Sequence, residues 1–453
     1  MALATPSGSG AIAVIRVSGK DTFANVQRIF VSKGKKLLIE AIGHSILFGH
    51  IMEDTETVDE VLISVFRNPK SFTGEDSVEI SCHGSVYIQK RILNLLNANG
   101  CRMAKPGEYA MRAFLNRKMD LSQAEAIADL VASTSAAAHK VAMHQMRGGF
   151  SRDLQLLRDE LIHFASLIEL ELDFAEEDVE FADRSQMKAL INRMVTAIAK
   201  LIGSFELGNV IKEGVQVAII GEPNAGKSTL LNAFLNEERA IVSDIAGTTR
   251  DTIEDELVVQ GVKFRFVDTA GIRHTTDLIE GLGIERTYQK SVQAEIVLFL
   301  FDASTYTASQ LTSELDALRL RMPDLDKRLI AVANKTDRTT SDIQLKFPEV
   351  NAVAISAKEK RGLETLLLAI TDKVNLAALQ EDQTIVTNIR HIEALSGAKQ
   401  ALEEVLIGLD NLIPGDLLAI DIRRALFFLG EITGHITTDD LLGNIFSKFC
   451  IGK

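Results

Sequence analysis

The segment Gly221-Glu-Pro-Asn-Ala-Gly226-Lys227-Ser228 fits the pattern Gly-x4-Gly-Lys-Ser/Thr completely. It stands between a β-branched apolar run, Val215–Ile220, and a helix-forming run, Ser228–Leu235. That order constrains the chain more than any other feature, because it requires a strand, a tight loop and a helix in immediate succession. Glycines let such a loop wrap an anion, so that several backbone N–H groups and the helix N-terminus converge on it. Lys227 then neutralises charge on β and γ phosphates, and Ser228 is placed to ligate Mg²⁺. Asn224, Ala225, Gly226 and Thr229 complete the candidate phosphate contacts.

Four further motifs follow in a fixed order. Ser243-Asp244-Ile245-Ala246-Gly247-Thr248-Thr249-Arg-Asp lies where a γ-phosphate-sensing switch belongs, with Thr249 completing the Mg²⁺ shell. Asp268-Thr269-Ala270-Gly271 follows the strand-like run Phe264–Val267, which places Asp268 near the same ion and Gly271 near the γ-phosphate. Asn334-Lys335-Thr336-Asp337 and Ser356-Ala357-Lys358 are the base-contacting loops. Asp337 accepts two hydrogen bonds from the N–H edge of guanine, an edge adenine lacks, so the motif set selects GTP. The residue after Gly271, where many such enzymes carry a water-orienting Gln, is Ile272. Asp277, Glu280 and Glu285 are the nearby carboxylates that can take over.

Between about residues 215 and 374 the strand-like runs Val215–Ile220, Phe264–Val267, Ile296–Phe301, Leu329–Ala333 and Val353–Ile355 alternate with helical ones. Such alternation predicts an α/β P-loop domain with a mainly parallel sheet. The flanks differ. Residues 1–118 mix strand-like runs (Ile12–Val17, Val61–Phe66) with a helix over Tyr87–Asn97, as in a small α+β domain. From Ser122, with Glu125 three residues on, the pattern predicts a capped helix running towards Met146. A second helix starts near Ser151 and a third ends near Phe205. After Val374 helices return, over Ile389–Leu406 and Leu417–Ile432. The expected organisation is therefore multidomain: residues 1–118, an all-α domain built from 119–212 and 374–453, and the P-loop domain, 213–373, inserted into it.

Net charge is −13, but residues 1–118 carry 15 Lys+Arg against 11 Asp+Glu, a local excess of +4. Much of the acidity lies in Glu169, Glu171, Asp173, Glu176, Glu177, Asp178, Glu180 and Asp183, a solvated helix end or linker by composition. An RNA partner is permitted by this distribution and not indicated by it. Three cysteines, Cys82, Cys101 and Cys450, make no disulfide framework and fit a reducing cytoplasm. No stretch reaches the roughly 20 uncharged apolar residues of a spanning helix, so no membrane role is expected. The segment from Met1 to Gly19 lacks the basic and long apolar regions of a signal peptide.

The stretch Lys105-Pro-Gly-Glu-Tyr-Ala-Met-Arg-Ala-Phe-Leu-Asn-Arg-Lys118-Met-Asp-Leu-Ser-Gln-Ala-Glu-Ala and the terminal Phe449-Cys450-Ile-Gly-Lys453 carry a more specific signal. With the phosphate loop and Gly-Thr-Thr-Arg-Asp, they resemble the MnmE (TrmE) family of tRNA modification GTPases over nearly the full length. The resemblance implies an N-terminal folate-binding and dimerisation domain, a helical domain and an inserted GTPase domain. It implies homodimers that form a heterotetramer with the FAD- and NADH-dependent MnmG (GidA) protein. That complex builds an aminomethyl or carboxymethylaminomethyl group on carbon 5 of the wobble uridine of tRNA, with a tetrahydrofolate as one-carbon donor. The family's folate contacts correspond to Arg16, Glu79, Lys118 and Lys453. Its K⁺ ligands correspond to Asn224, Ser243, Ile245 and Thr248, and its water-guiding carboxylate to Glu280. Cys450 reads either as a small buried hydrophobe or as a residue with a chemical role in tRNA modification, and nothing nearby in sequence lowers its pKa. Glu222 departs from expectation, since an acid there stands beside phosphates, and so does Ser243, where Thr is usual. The alternative, a ribosome-assembly GTPase switch without modification chemistry, shares every GTPase motif but lacks an account of the two flanking stretches.

Overall fold

The computed structural model describes residues 1–34, 36–173, 184–235, 255–267, 294–322, 324–340, 342–374, 384–447, 449 and 452. They form two compact units, one of Met1–Val131, Met143–Ala199 and Glu393–Lys453, the other of Ala132–Ala142 and Lys200–Ile392.

The first unit contains a six-stranded antiparallel sheet of β1 (Ala2–Leu3), β2 (Ile12–Ser18), β3 (Phe30–Ser32), β4 (Ser45–Glu53), β5 (Glu56–Phe66) and β6 (Ser77–His83), in the order β1-β2-β6-β5-β4-β3. Period-two alternation sends Ala13, Ile15, Val17, Val61, Ile63, Val65, Val78, Ile80 and Cys82 to one buried face. Ile92 and Leu96 of helix Val86–Ala98 and Phe23 and Val26 of helix Thr22–Gln27 belong to the same core. The intervening positions face the other way, and there Arg16 on β2 stands directly opposite Glu79 on β6.

The helix expected from Ser122 to Met146 is two helices, Leu121–Ala132 and Ala136–Met146. The break falls at Ser133-Thr-Ser135, where the Ser135 hydroxyl accepts from Ala138 N (3.2 Å) and opens the second helix. The capping box also sits two residues earlier than Ser122/Glu125. Asp120 Oδ1 accepts from Gln123 N (2.9 Å), and Gln123 Oε1 accepts from Asp120 N (3.0 Å). A carboxylate is the better acceptor at a helix N-terminus, and the Ser122 hydroxyl donates to it rather than capping. Leu121 and Ala124 then pack with Ala110, Leu442 and Phe446, which seats helix Asp439–Ser447.

By length and composition, the run Arg184–Glu213 is apolar enough to cross a membrane. Its first part, helix Arg184–Gly203, buries Met187, Leu190, Ile191, Met194 and Ile198 on one stripe, the pattern of an amphipathic helix packed by one face.

The second unit is a six-stranded sheet in the order β12-β11-β10-β7-β9-β8, from β7 (Val215–Ile220), β8 (Asp255–Val259), β9 (Val262–Val267), β10 (Ile296–Asp302), β11 (Leu329–Asn334) and β12 (Val353–Ala354). All pairings are parallel except the β8–β9 hairpin at one edge. The central strands are buried on both faces, with β10 entirely so up to Phe301, which explains their unbroken apolar runs. Helix Phe205–Glu213 belongs to this unit and packs Leu207 and Ile211 with Val141 and Ile385.

Candidate functional site

The carboxyl ends of the parallel strands carry the motif loops, the usual place for ligands in open α/β sheets. The loop after β7 needs its glycines for space as well as conformation. Gly221 (φ 143°) abuts the Leu300 carbonyl, and a Cβ on Gly226 (φ 99°) would collide with the Asn334 side-chain amide. Asn224 adopts the left-handed conformation (φ 66°), which Asn tolerates better than most residues. Helix Lys227–Leu235 follows, so Lys227, Ser228 and Thr229 occupy its first turn. The Lys227 ammonium donates to the carbonyls of Gly221 (2.7 Å) and Glu222 (2.9 Å), and burial pushes its pKa down.

Asn334, at the end of β11, joins three loops. Its Nδ2 donates to the Ala225 carbonyl (2.8 Å), and its Oδ1 accepts from Ala357 N (3.0 Å). Lys335 is left-handed (φ 61°) and its Nζ pairs with Asp302 Oδ2 at 2.8 Å. Thr336 binds the Ile355 carbonyl through both N (3.2 Å) and Oγ1 (2.9 Å). The Asp337 carboxylate accepts from the Ser356 hydroxyl at 2.6 Å, and that bond holds its pKa below the usual carboxylate range. Lys358 is exposed at the rim of the same loop. Asn224 to Thr229, Asn334 to Asp337 and Ser356 to Lys358 are thus gathered at one end of one sheet. Ser243, Asp244, Ile245, Ala246, Gly247, Thr248, Thr249, Asp268, Thr269, Ala270, Gly271 and Glu280 lie outside the described residues. The Asp302–Lys335 pair escaped sequence reading; its only signal was an acid ending an apolar strand.

In the first unit, Arg16 and Glu79 form a direct ion pair, with Nη2 and Nε of Arg16 at 2.7 and 3.0 Å from one carboxylate oxygen. Arg16 Nη1 also points to the carbonyl of Gly452 (3.4 Å). The guanidinium lies 5.4 Å from the Phe72 ring centroid and 5.6 Å from that of Tyr109, within cation–π range. Tyr109 donates its hydroxyl to the Arg16 carbonyl (2.7 Å). Lys118 does not reach the pair. Its ammonium donates to the Pro69 carbonyl (3.0 Å), and Asn116 Nδ2 donates to the Thr73 carbonyl (2.8 Å), so the two hold the loop that presents Phe72. Neither aromatic was singled out from sequence. Cys450 and Lys453 lie outside the described residues. The other cysteines, Cys82 and Cys101, are buried, and burial pushes the Cys82 thiol up to about 11.

A phosphate loop between a parallel strand and its helix, tied through Asn334 to the Asn-Lys-x-Asp and Ser-Ala-Lys loops, defines a P-loop GTPase domain. Comparison with known proteins narrows the class. The family described as "GTP-binding protein TrmE N-terminus" matches residues 1–118, and the one described as "MnmE helical domain" matches residues 121–450. The tRNA modification GTPase MnmE of Flavobacterium psychrophilum is 54% identical over 457 residues, covering 100% of this chain and 98% of that protein. That of Christiangramia forsetii is likewise 54% identical, and that of Bacteroides thetaiotaomicron 53%, each over 100% of this chain and 98% of the relative. The chain belongs to the MnmE family.

Proposed function

We propose that the chain is a GTP-hydrolysing tRNA modification enzyme that acts in the cytoplasm with a flavoprotein of the MnmG type on the wobble uridine of tRNA. The observation that carries the GTPase half is the Asn334 amide, which ties the phosphate loop to the base loops and so brings Lys227 and Asp337 to one ligand. In this reading Lys227 leaves the loop carbonyls for the β and γ phosphates. Ser228 and Thr249 hold Mg²⁺, which supplies charge neutralisation on the phosphates. Asn224 fits a hard cation, since an exposed amide oxygen in the loop is the donor type K⁺ takes. With Ser243, Ile245 and Thr248 it would hold K⁺, which supplies the positive charge an arginine gives in other GTPases. Glu280 aligns the attacking water.

The modification half rests on Arg16 and Glu79. A guanidinium and a carboxylate side by side, flanked by Phe72 and Tyr109, suit a ligand with a flat ring and hydrogen-bonding edges. A tetrahydrofolate, which supplies the one-carbon unit, has those features, and Lys118 and Lys453 suit its carboxylates. Cys450 is the cysteine proposed for chemistry, since the thiols of Cys82 and Cys101 are raised by burial and stay protonated at neutral pH. Exposed Ile12, Ile46 and Leu62 on the Arg16 side of the sheet support a homodimer through this domain. In this reading the dimer forms a heterotetramer with the flavoprotein.

The test is Asp337→Asn. Reversing the hydrogen-bonding sense of that side chain should weaken GTP and admit xanthosine triphosphate. Unchanged guanine preference would remove Asp337 from the base site.

A further inference from the structure

Within the loop that ends β11, Asn334, Thr336 and Asp337 are fastened to neighbouring loops by short polar groups. Asn334 joins Ala225 to Ala357, Thr336 donates to the Ile355 carbonyl, and Asp337 accepts from Ser356. Lys335 is fastened by the far end of a long side chain. Its backbone is left-handed (φ 61°), a conformation that disfavours residues with a Cβ. From there the side chain reaches the end of β10, where Nζ donates to Asp302 Oδ2 at 2.8 Å. Asp302 is itself held in place. Its other oxygen, Oδ1, accepts from Ser304 N (2.9 Å) and from the Ser304 hydroxyl (2.6 Å). The Ala303 N–H donates to the Asn334 carbonyl (2.9 Å), which joins the end of β10 to the base loop. Burial raises the Asp302 pKa, but the bonds from Lys335 and Ser304 outweigh it and leave the carboxyl below its ordinary range, so the pair is ionic at neutral pH. Only 23% of the Lys335 side chain and 14% of that of Asp302 is exposed, so water screens the attraction less than in a surface pair.

We propose that Asp302 is a positioning residue for nucleotide binding, which holds Lys335 extended so that its methylene stem already lies where the flat face of the base will pack. The inference rests on reading this loop as the nucleotide site. A lysine stem can cover an apolar surface while its ammonium stays with a polar partner. An untethered lysine gives up much of its rotamer freedom to do so, and the Asp302 tether removes that loss before the ligand arrives. The gain belongs to the base. It is therefore equal for di- and triphosphate and does not enter the chemical step.

The experiment is titration of the full-length protein with fluorescent GTP and GDP analogues in Mg²⁺, with GTP turnover measured alongside. Asp302→Asn is isosteric and keeps an oxygen for Ser304, but it can turn a donor towards the Lys335 ammonium in place of an acceptor. It should weaken both analogues equally, by about three- to tenfold, the scale of immobilising one long side chain, and leave turnover at saturating GTP near normal. Lys335→Met keeps a stem without the ammonium and should weaken both analogues by a similar factor. Asp302→Asn added to Lys335→Met should cost nothing more, because the residue acts through the lysine. Unchanged affinity in Asp302→Asn, a loss that persists in full in the Lys335→Met background, or a fall in turnover at saturation with affinity kept, each overturns the proposal. Failure of the unaltered protein to bind either analogue overturns the nucleotide-site reading itself.

Discussion

Both ends of the Asn334 amide are engaged inside the protein, and the residue is 2% exposed. An Asp would turn a donor to the Ala225 carbonyl into an acceptor, and an Ala would leave that carbonyl and the Ala357 N–H to find other partners. Burial with full satisfaction makes Asn334 part of the frame. Glu108 is a comparable case in the first unit. Its side chain is 4% exposed and accepts from Arg102 (2.5 Å) and Arg112 (2.6 Å). These bonds, that from Arg102 foremost, hold its carboxyl at about 2 against an ordinary 4.5. A depressed carboxylate pKa stabilises the fold above the unfolded value, and the contribution is lost as pH falls from about 4.5 towards 2. Glu108→Gln should therefore cost about 2 kcal/mol at pH 7, reduced by the exposure of Arg102, and the gap to the unaltered protein should roughly halve by pH 3. Urea denaturation at the two pH values measures this, and a gap that does not move with pH would assign Glu108 to packing.

At the scale of elements, the phosphate loop and the segments around it divide labour. Asn224 is proposed to serve the monovalent ion. GTP turnover should then be faster in K⁺ than in Na⁺, and Asn224→Ala should abolish the difference while leaving nucleotide binding largely intact. Equal turnover in both salts would take the ion out of the mechanism. With Ile272 in place of the usual Gln, the water needs a guide, and Glu280 is the proposed one. Glu280→Ala should keep nucleotide affinity and lower turnover by about 10- to 1,000-fold, the range for losing a positioned acid–base or electrostatic group. Single-turnover hydrolysis with saturating GTP and K⁺ reads it, and an unchanged rate would move the role to Asp277, Glu285 or a partner. Elements also show what the sequence concealed. The helix start near residue 120 was legible, but the capping residue was not, because Asp120 and Ser122 both satisfy the pattern and only the reciprocal bonds between Asp120 and Gln123 decide between them.

For the whole molecule, the GTPase machinery and the Arg16 site belong to different compact units. Cys450→Ser should accordingly leave GTP hydrolysis near normal yet impair wobble-uridine modification in cells, and normal modification would reduce Cys450 to packing. The two sites were not equally legible. Among the described residues, the phosphate loop, Asn334–Asp337 and Ser356–Lys358 are each contiguous and each follow a strand, so spacing singled them out. Arg16 and Glu79 became candidates only through a family resemblance. Their pairing depends on the β2–β6 register across 63 positions, and no local pattern encodes it. The flanking of Arg16 by Phe72 and Tyr109 is of the same kind: contacts made by topology, with aromatic residues that are unremarked in sequence.

The bond from Arg16 to the Gly452 carbonyl spans 436 positions of chain. On a ribosome adding about 5–20 residues per second, Arg16 is made roughly 20–90 s before the carbonyl it will hold. In that interval Glu79, synthesised within seconds of Arg16, already compensates the guanidinium, so the sheet can form around a paired charge. The Arg16 site is finished only once Gly452 has been made. A message cut short just before the codon for Gly452 would yield a protein with its sheet and its nucleotide loops in place and this one corner open.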